Sequence, residues 1–314
     1  MKAWQLDNIK EPLVLREIPD PRPGVDELVI DVKAAGICHS DVGFWDGTIS
    51  EHLGHWPIVL GHEIAGVVTA VGSAVTSFQV GDRVGVPATM QGPGVAVDGG
   101  FAEKVVVREA LSAKIPNNVS FELAAAATDA GISSYHAVAC CGEVVAGQRV
   151  GLIGLGGLGL LGAQTALAIG ADIYVAEVDA AKRESAMELG AVRAAADITE
   201  FADVQLDVII DFAGFGTTTA AAIDTVRSHG RVVQVGLARP TGSINLNRLT
   251  FESLTLVGSS AGGDRKDLQR VFDLLAQGAL RPNLEIIAFS EIWSGLDRLA
   301  KGTVAGRLIA SAGA

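Results

Sequence analysis

Cysteine is scarce in this chain: there are three, Cys38, Cys140 and Cys141. An odd number with two adjacent residues makes no disulfide framework, so a reducing, cytosolic setting is expected. Positive charge is also in deficit, with 24 Lys and Arg against 36 Asp and Glu and a formal net charge of −12. Such a surface repels phosphate backbones unless a basic patch interrupts it. The densest basic pair, Arg265 and Lys266, is flanked by Asp264 and Asp267, so no nucleic-acid partner is expected. Long uncharged apolar runs are missing outside Val150–Ile169. That run carries glycines in strand–turn–helix order, which a buried βα unit explains better than a membrane span does, so no membrane partner is expected. Met1–Asp7 lacks the apolar core of a secretory signal, and no repeat or low-complexity linker interrupts the chain.

What is present is a globular composition, 49% hydrophobic and 19% charged over 314 residues, with 38 glycines. That length is enough for two domains, each with its own core. The first third alternates short β-rich runs with turn signals, as in Leu28–Val32, Gly66–Gly72 and Gly81–Pro87. This pattern predicts a partly open β-barrel. Near residue 121 the character changes, and helices are predicted over Phe121–Ala127 and Ile132–Ala139. From Arg149 strands and helices alternate. Strands are predicted at Val150–Gly154, Ile173–Val178, Val208–Phe212 and Arg231–Gly236, with helices at Lys182–Leu189 and Thr218–Ser228. Such alternation predicts a parallel sheet with covering helices. A last strand is expected at Leu254–Gly258, then a helix over Asp267–Gln277 and a short strand over Gly306–Ile309.

Gly154–Gly159 reads GLGGLG and fits GxGxxG. Among 38 glycines the pattern alone is weak, but an apolar strand precedes it and the helix Leu160–Ile169 follows. Glu177 ends the next predicted strand, 23 residues after Gly154, where a carboxylate accepts hydrogen bonds from the adenosine ribose. The glycines admit a pyrophosphate to the helix N-terminus, whose dipole favours anions. The expected fold is therefore α/β, a doubly wound Rossmann sheet serving a nicotinamide-dependent oxidoreductase. Glu177 favours NAD(H) by repelling a 2′-phosphate. Lys182 and Arg183 either offset this in part, leaving NADP open, or are ordinary exposed residues of a helix's first turn.

Cys38, His62 and Glu63 bring a thiol, an imidazole and a carboxylate, all suited to zinc; scattered singly, they would mean little. Their setting gives them meaning. The segments AAGICHSD (34–41), LGHE (60–63), VGDRV (80–84) and GGFAE (99–103), the glycine motif and Gly306–Arg307 follow in an order and spacing that resemble the medium-chain zinc-dependent alcohol dehydrogenases over essentially the whole chain.

The resemblance implies a GroES-like catalytic domain, residues 1–129 and 264–314, around a Rossmann domain at 130–263. It implies one catalytic zinc on Cys38, His62 and a third ligand at Asp129, where most members have cysteine. The other reading of Asp129 is a cap for the helix starting near Ile132. Glu63 matches a carboxylate near the metal, Asp41 a partner that orients His62, and Ser40 the hydroxyl that starts proton removal. Gly154, Gly156, Gly157, Leu158, Gly159, Glu177, Lys182 and Gly236 would contact the cofactor, and Arg307 would pair with its pyrophosphate. Two departures stand out. Pro87–Asp98 holds no cysteine, so no structural zinc is expected, and the usual relay histidine is replaced by Gly43. Ala88 stands where many primary-alcohol enzymes carry tryptophan, implying a wider pocket. His52 and His55 read as exposed loop residues ahead of pocket lining, and Trp45 and Trp56 as either pocket walls or core. The edge strand Leu254–Gly258 resembles the one through which members dimerise, so a homodimer or homotetramer is expected.

The implied activity is interconversion of alcohols, secondary or bulky ones, with ketones or aldehydes by hydride transfer with NAD(H). A zinc-free quinone or enoyl reductase would not need Cys38, His62 and Asp129 together. A silent cofactor-binding protein would not need Cys38, Ser40, His62 and Glu63 intact.

Overall fold

The structure is a computed structural model that describes residues 1–260, 264–304 and 306–313. The described residues form two compact units. One gathers residues 1–132 with 264–277 and most of 282–313, and the other gathers 133–260 with 278–281. The expected domain boundary after residue 263 lies outside the described residues.

The first unit is built on the long strand Glu27–Ile37. Its early half pairs with Lys104–Arg108 and its late half with Arg307–Ser311, while Glu63–Val71 runs antiparallel along the other side. The register slips between Val29 and Ile30 and between Val32 and Ala34. Such bulges bend a strand and sharpen its twist, so one strand serves different neighbours at its two ends. Arg83–Val86 and Ala113–Lys114 extend the sheet on one side, and Leu284–Ala288 extends it on the other. A second sheet orders Val14–Glu17, Lys2–Leu6 and Ile58–Val59. Leu28, Ile30, Ile37, Ile64, Phe101 and Leu308 are buried between these layers. The predicted β-rich character of this region is what the structure has.

The second unit holds six parallel strands in the order Arg193–Ala195, Asp172–Ala176, Arg149–Ile153, Val208–Asp211, Arg231–Gln234, Thr255–Gly258. Counted within the unit this is 3-2-1-4-5-6, the doubly wound Rossmann order. Both faces are buried. Ile173 and Val175 join the core on one side, while Tyr174 and Ala176 join the core on the other, so the period-two pleat is hidden in a continuous apolar run. The run considered for a membrane span resolves into the strand Arg149–Ile153 and the helix Gly157–Ile169. No described helix is long and apolar enough to cross a membrane.

The strands of this unit stop sooner than predicted, at Ile153, Ala176, Asp211 and Gln234. At Gly154 the cause is a φ of +86°, which leaves the β region. The helix Phe121–Ala126 is followed by a π-helical turn, Ala127–Gly131, before Ile132–Tyr135 continues.

Candidate active site

Cys38 follows the strand Glu27–Ile37 and is the N-cap of the helix His39–Asp46. His62 and Glu63 stand where the strand Glu63–Val71 begins, and Asp129 sits in the π-turn. These elements lie in one unit and bring four side chains together: one donor atom from each of Cys38, His62, Glu63 and Asp129 lies within 4.8 Å of all the others. Cys38 Sγ is 3.2 Å from Asp129 Oδ2, and His62 Nε2 is 3.9 Å from the same oxygen. Four ligands around a tetrahedral zinc with bonds of about 2.0–2.3 Å are separated by roughly 3.3–3.8 Å. The spacing and the S, N, O donor set therefore fit zinc. Asp129 is not a helix cap, because it lies inside the π-turn Ala127–Gly131, which runs without a break into Ile132–Tyr135 (Ile132 φ −67°, ψ −39°).

Asp41, fully buried, orders this cluster. Its Oδ2 accepts from the Cys38 N–H at 2.9 Å, its Oδ1 accepts from the Gly61 N–H at 3.3 Å, and Oδ1 lies 3.2 Å from His62 Nδ1. The carboxylate thus fixes the backbone of Cys38 and leaves Nε2 of His62 facing the site. Burial alone would depress the His62 imidazolium, but Asp41, together with Cys38, outweighs it and holds the ring well above its ordinary pKa. Ser40, the second residue of the helix, places Oγ 3.6 Å from Cys38 Sγ. Arg307, which the resemblance assigns to the cofactor pyrophosphate, here donates from Nε to Glu63 Oε2 at 3.0 Å and from Nη2 to Asp129 Oδ2 at 2.7 Å. Gly36 pairs with Glu63 across the sheet. A Cβ on Gly36 would come within 2.0 Å of Glu63 Oε2, so the missing side chain makes room for the carboxylate.

In the other unit, a cavity of about 460 Å³ opens at the carboxyl ends of the strands, lined among others by Gly154, Gly156, Gly157, Glu177, Asp197 and Thr218. This size suits a cofactor. No atom stands within 4 Å of where side chains at Gly156 and Gly157 would begin, whereas a Cβ on Gly159 would meet Gly154 O at 1.9 Å. The first two glycines keep the loop open to a ligand, and the third lets helix and strand touch. Glu177 lies one residue beyond its strand. Its Oε2 accepts from the Leu155 N–H at 2.6 Å and its Oε1 from the Asp179 N–H at 3.1 Å. The carboxylate braces the glycine loop and keeps a lone pair on each oxygen. Leu158 also lines the cavity. Lys182 is exposed in the first turn of Ala180–Leu189, and Gly236 donates its N–H to Asp211 O. Neither touches the cavity.

Sequence reasoning overlooked Asp211. It is fully buried at the end of its strand, and its Oδ1 accepts from the N–H groups of Ala213 and Gly214 at 3.0 and 2.9 Å. Thr218 Oγ1 donates to Oδ2 at 2.7 Å. The signal was an acidic residue at a strand end followed by Gly214 and Gly216. Of the residues left open, Trp45 packs edge-on against Trp293 at 5.6 Å and is part of the core, while Trp56, His52 and His55 are exposed.

Residues 24–117 match the alcohol dehydrogenase GroES-like domain, and residues 157–277 match the zinc-binding dehydrogenase domain. An alcohol dehydrogenase of Geobacillus stearothermophilus is 30% identical over 343 aligned positions, covering 98% of this chain and 99% of the relative. The NADP-dependent alcohol dehydrogenase C of Mycobacterium bovis is 30% identical, covering 98% and 97%. Among solved structures, the acetophenone reductase of Geotrichum candidum in complex with NAD superposes with a TM-score of 0.86 at 27% identity, covering 99% of this chain and 96% of that one. This chain belongs to the zinc-type alcohol dehydrogenases of the medium-chain dehydrogenase/reductase superfamily.

Proposed function

We propose that this chain interconverts alcohols, secondary or bulky ones above small primary ones, with their ketones or aldehydes, using NAD(H) and a single zinc held by Cys38, His62 and Asp129. The observation that carries the proposal is the convergence of those three donors, with Glu63, inside 4.8 Å. When bound, zinc acts as a Lewis acid that makes an alcohol hydroxyl easier to deprotonate, and the nicotinamide accepts the hydride.

The chain's own residues supply the rest. Asp41 keeps His62 Nε2 aimed at the site. Ser40 Oγ, beside Cys38 Sγ, accepts the substrate's hydroxyl proton as it hands its own proton on toward solvent. Position 43 has no relay histidine, and a Cβ there would crowd Ile49, meeting its Cγ1 at 2.9 Å. Ala88 hydrogen-bonds through its N–H to the carbonyl of Thr128, next to Asp129. A side chain this small, where many primary-alcohol enzymes of the family carry tryptophan, supports bulkier substrates. The acetophenone reductase likeness supports the same preference. Glu177 in the cavity supports NAD(H) over NADP(H), although the Mycobacterium bovis relative is NADP-dependent. Thr255–Gly258 is an edge strand with exposed residues, and we assign dimerisation to it.

Elemental mass spectrometry of the purified protein, paired with turnover on secondary and primary alcohols with NAD and NADP, tests this reading. It expects about one zinc per chain, lost with activity in Cys38→Ala and Asp129→Ala. Full activity without zinc would place the chain among zinc-free reductases.

A further inference from the structure

Asp129 Oδ2 accepts from one cation, Arg307, and stands where a metal would bring a second. It is the oxygen nearest Cys38 Sγ and His62 Nε2, and therefore the one a metal would take. It also accepts the Arg307 Nη2 hydrogen bond at 2.7 Å. The same guanidinium engages both oxygens of Glu63, Nε at 3.0 Å from Oε2 and Nη2 against Oε1. Glu63 is fully buried, and the Arg307 side chain is 11% exposed. Two buried carboxylates beside a thiol repel one another unless a cation stands among them, and two cations crowded on one oxygen repel in turn.

We infer that Arg307 is the counter-ion of this site in the metal-free chain, and that it yields Asp129 Oδ2 when the ion binds. The inference rests on Cys38, His62 and Asp129 being the metal ligands. The guanidinium balances the carboxylates of the cluster and competes with a metal for Asp129 Oδ2. Leu308, the next residue, pairs with Ile37 across the sheet. The backbone of Arg307 is thereby anchored beside Cys38, and the exchange needs only its side chain to move.

The test is zinc affinity of the metal-free protein, by competition with a chromophoric chelator, for wild type, Arg307→Gln and Arg307→Lys. Tm is read for each with and without zinc. Arg307→Gln is expected to bind zinc about tenfold more tightly or better, the worth of one charge-assisted hydrogen bond. Its Tm should fall in the metal-free form and change little in the zinc-loaded form. Arg307→Lys keeps the charge and loses the fork, so it should bind more tightly than wild type by a smaller factor. It carries the comparison if the metal-free glutamine variant does not fold. Unchanged or weaker zinc affinity in both variants, or an equal Tm loss with and without zinc, would make Arg307 a structural strut and overturn the inference. A wild-type protein that takes up no zinc would overturn it together with the ligand assignment, and that failure appears in the wild-type titration alone.

Discussion

Asp41→Asn tests the ordering of the cluster. The carboxylate accepts from the Cys38 N–H at 2.9 Å and the Gly61 N–H at 3.3 Å, and it faces His62 Nδ1 at 3.2 Å, all in a fully buried position. An asparagine amide has one acceptor oxygen, so its NH2 group must point at a donor that the carboxylate had satisfied. One buried donor left unpaired costs about 1–3 kcal/mol, and losing the charge on the remaining bonds adds roughly 1 kcal/mol. The variant is therefore expected to be about 2–4 kcal/mol less stable in urea unfolding of the metal-free protein. If the NH2 turns to His62 Nδ1, that nitrogen must accept, and the proton moves to Nε2, the nitrogen a metal needs bare. Zinc affinity should then fall by about 10–100-fold in a chelator competition. Stability within about 0.5 kcal/mol of wild type, with zinc affinity unchanged, would refute Asp41 as the residue that holds both ligands.

Gly36→Ala places a Cβ 2.0 Å from Glu63 Oε2 and should destabilise the protein by about 1–3 kcal/mol through overpacking, read as a lower Tm. An unshifted Tm would mean that Glu63 has room to move. Gly159→Ala sets a Cβ 1.9 Å from Gly154 O and should weaken NADH binding at least about tenfold in a fluorescence titration; unchanged binding would remove the glycine loop from cofactor contact. Asp207 is the subject of a pH experiment. Burial would raise its pKa, but the Arg149 N–H and the Arg227 side chain outweigh this and hold the carboxyl below its ordinary range. A lowered folded-state pKa contributes stability above the unfolded value and loses it as pH falls through the folded one. Tm of Asp207→Asn should therefore approach that of wild type in acid and lag behind it near neutrality, and a constant gap across that range would contradict the linkage.

The glycine-lined cavity and the cluster of Cys38, His62 and Asp129 are legible in the sequence to different degrees. A phosphate-binding turn is local, so Gly154–Gly159 and the flanking strand and helix announce it within a short stretch. Cys38 and His62 come with equally local settings. The Arg307–Asp129 hydrogen bond joins residues 178 apart in sequence, and nothing near either position points to the other. The strand ends were read too long because Gly154 and Glu177 lie in apolar surroundings, and the turn is made by backbone angles rather than by a break in hydrophobicity. The π-turn was invisible because its residues are compatible with an ordinary helix.

That π-turn has a consequence for how such a site is lost in descent. It is in effect an α-helix with one extra residue, and its widened backbone leaves the Thr128 carbonyl to the Ala88 N–H. Each residue of an α-helix advances about 100° around the axis. Loss of a single codon within 127–131 other than that of Asp129 would restore regular winding and swing whichever flank yields by about that angle, parting Asp129 from Cys38 and His62 while keeping all three residues in the sequence. An in-frame deletion of three nucleotides is thus enough to disperse the cluster of Cys38, His62 and Asp129.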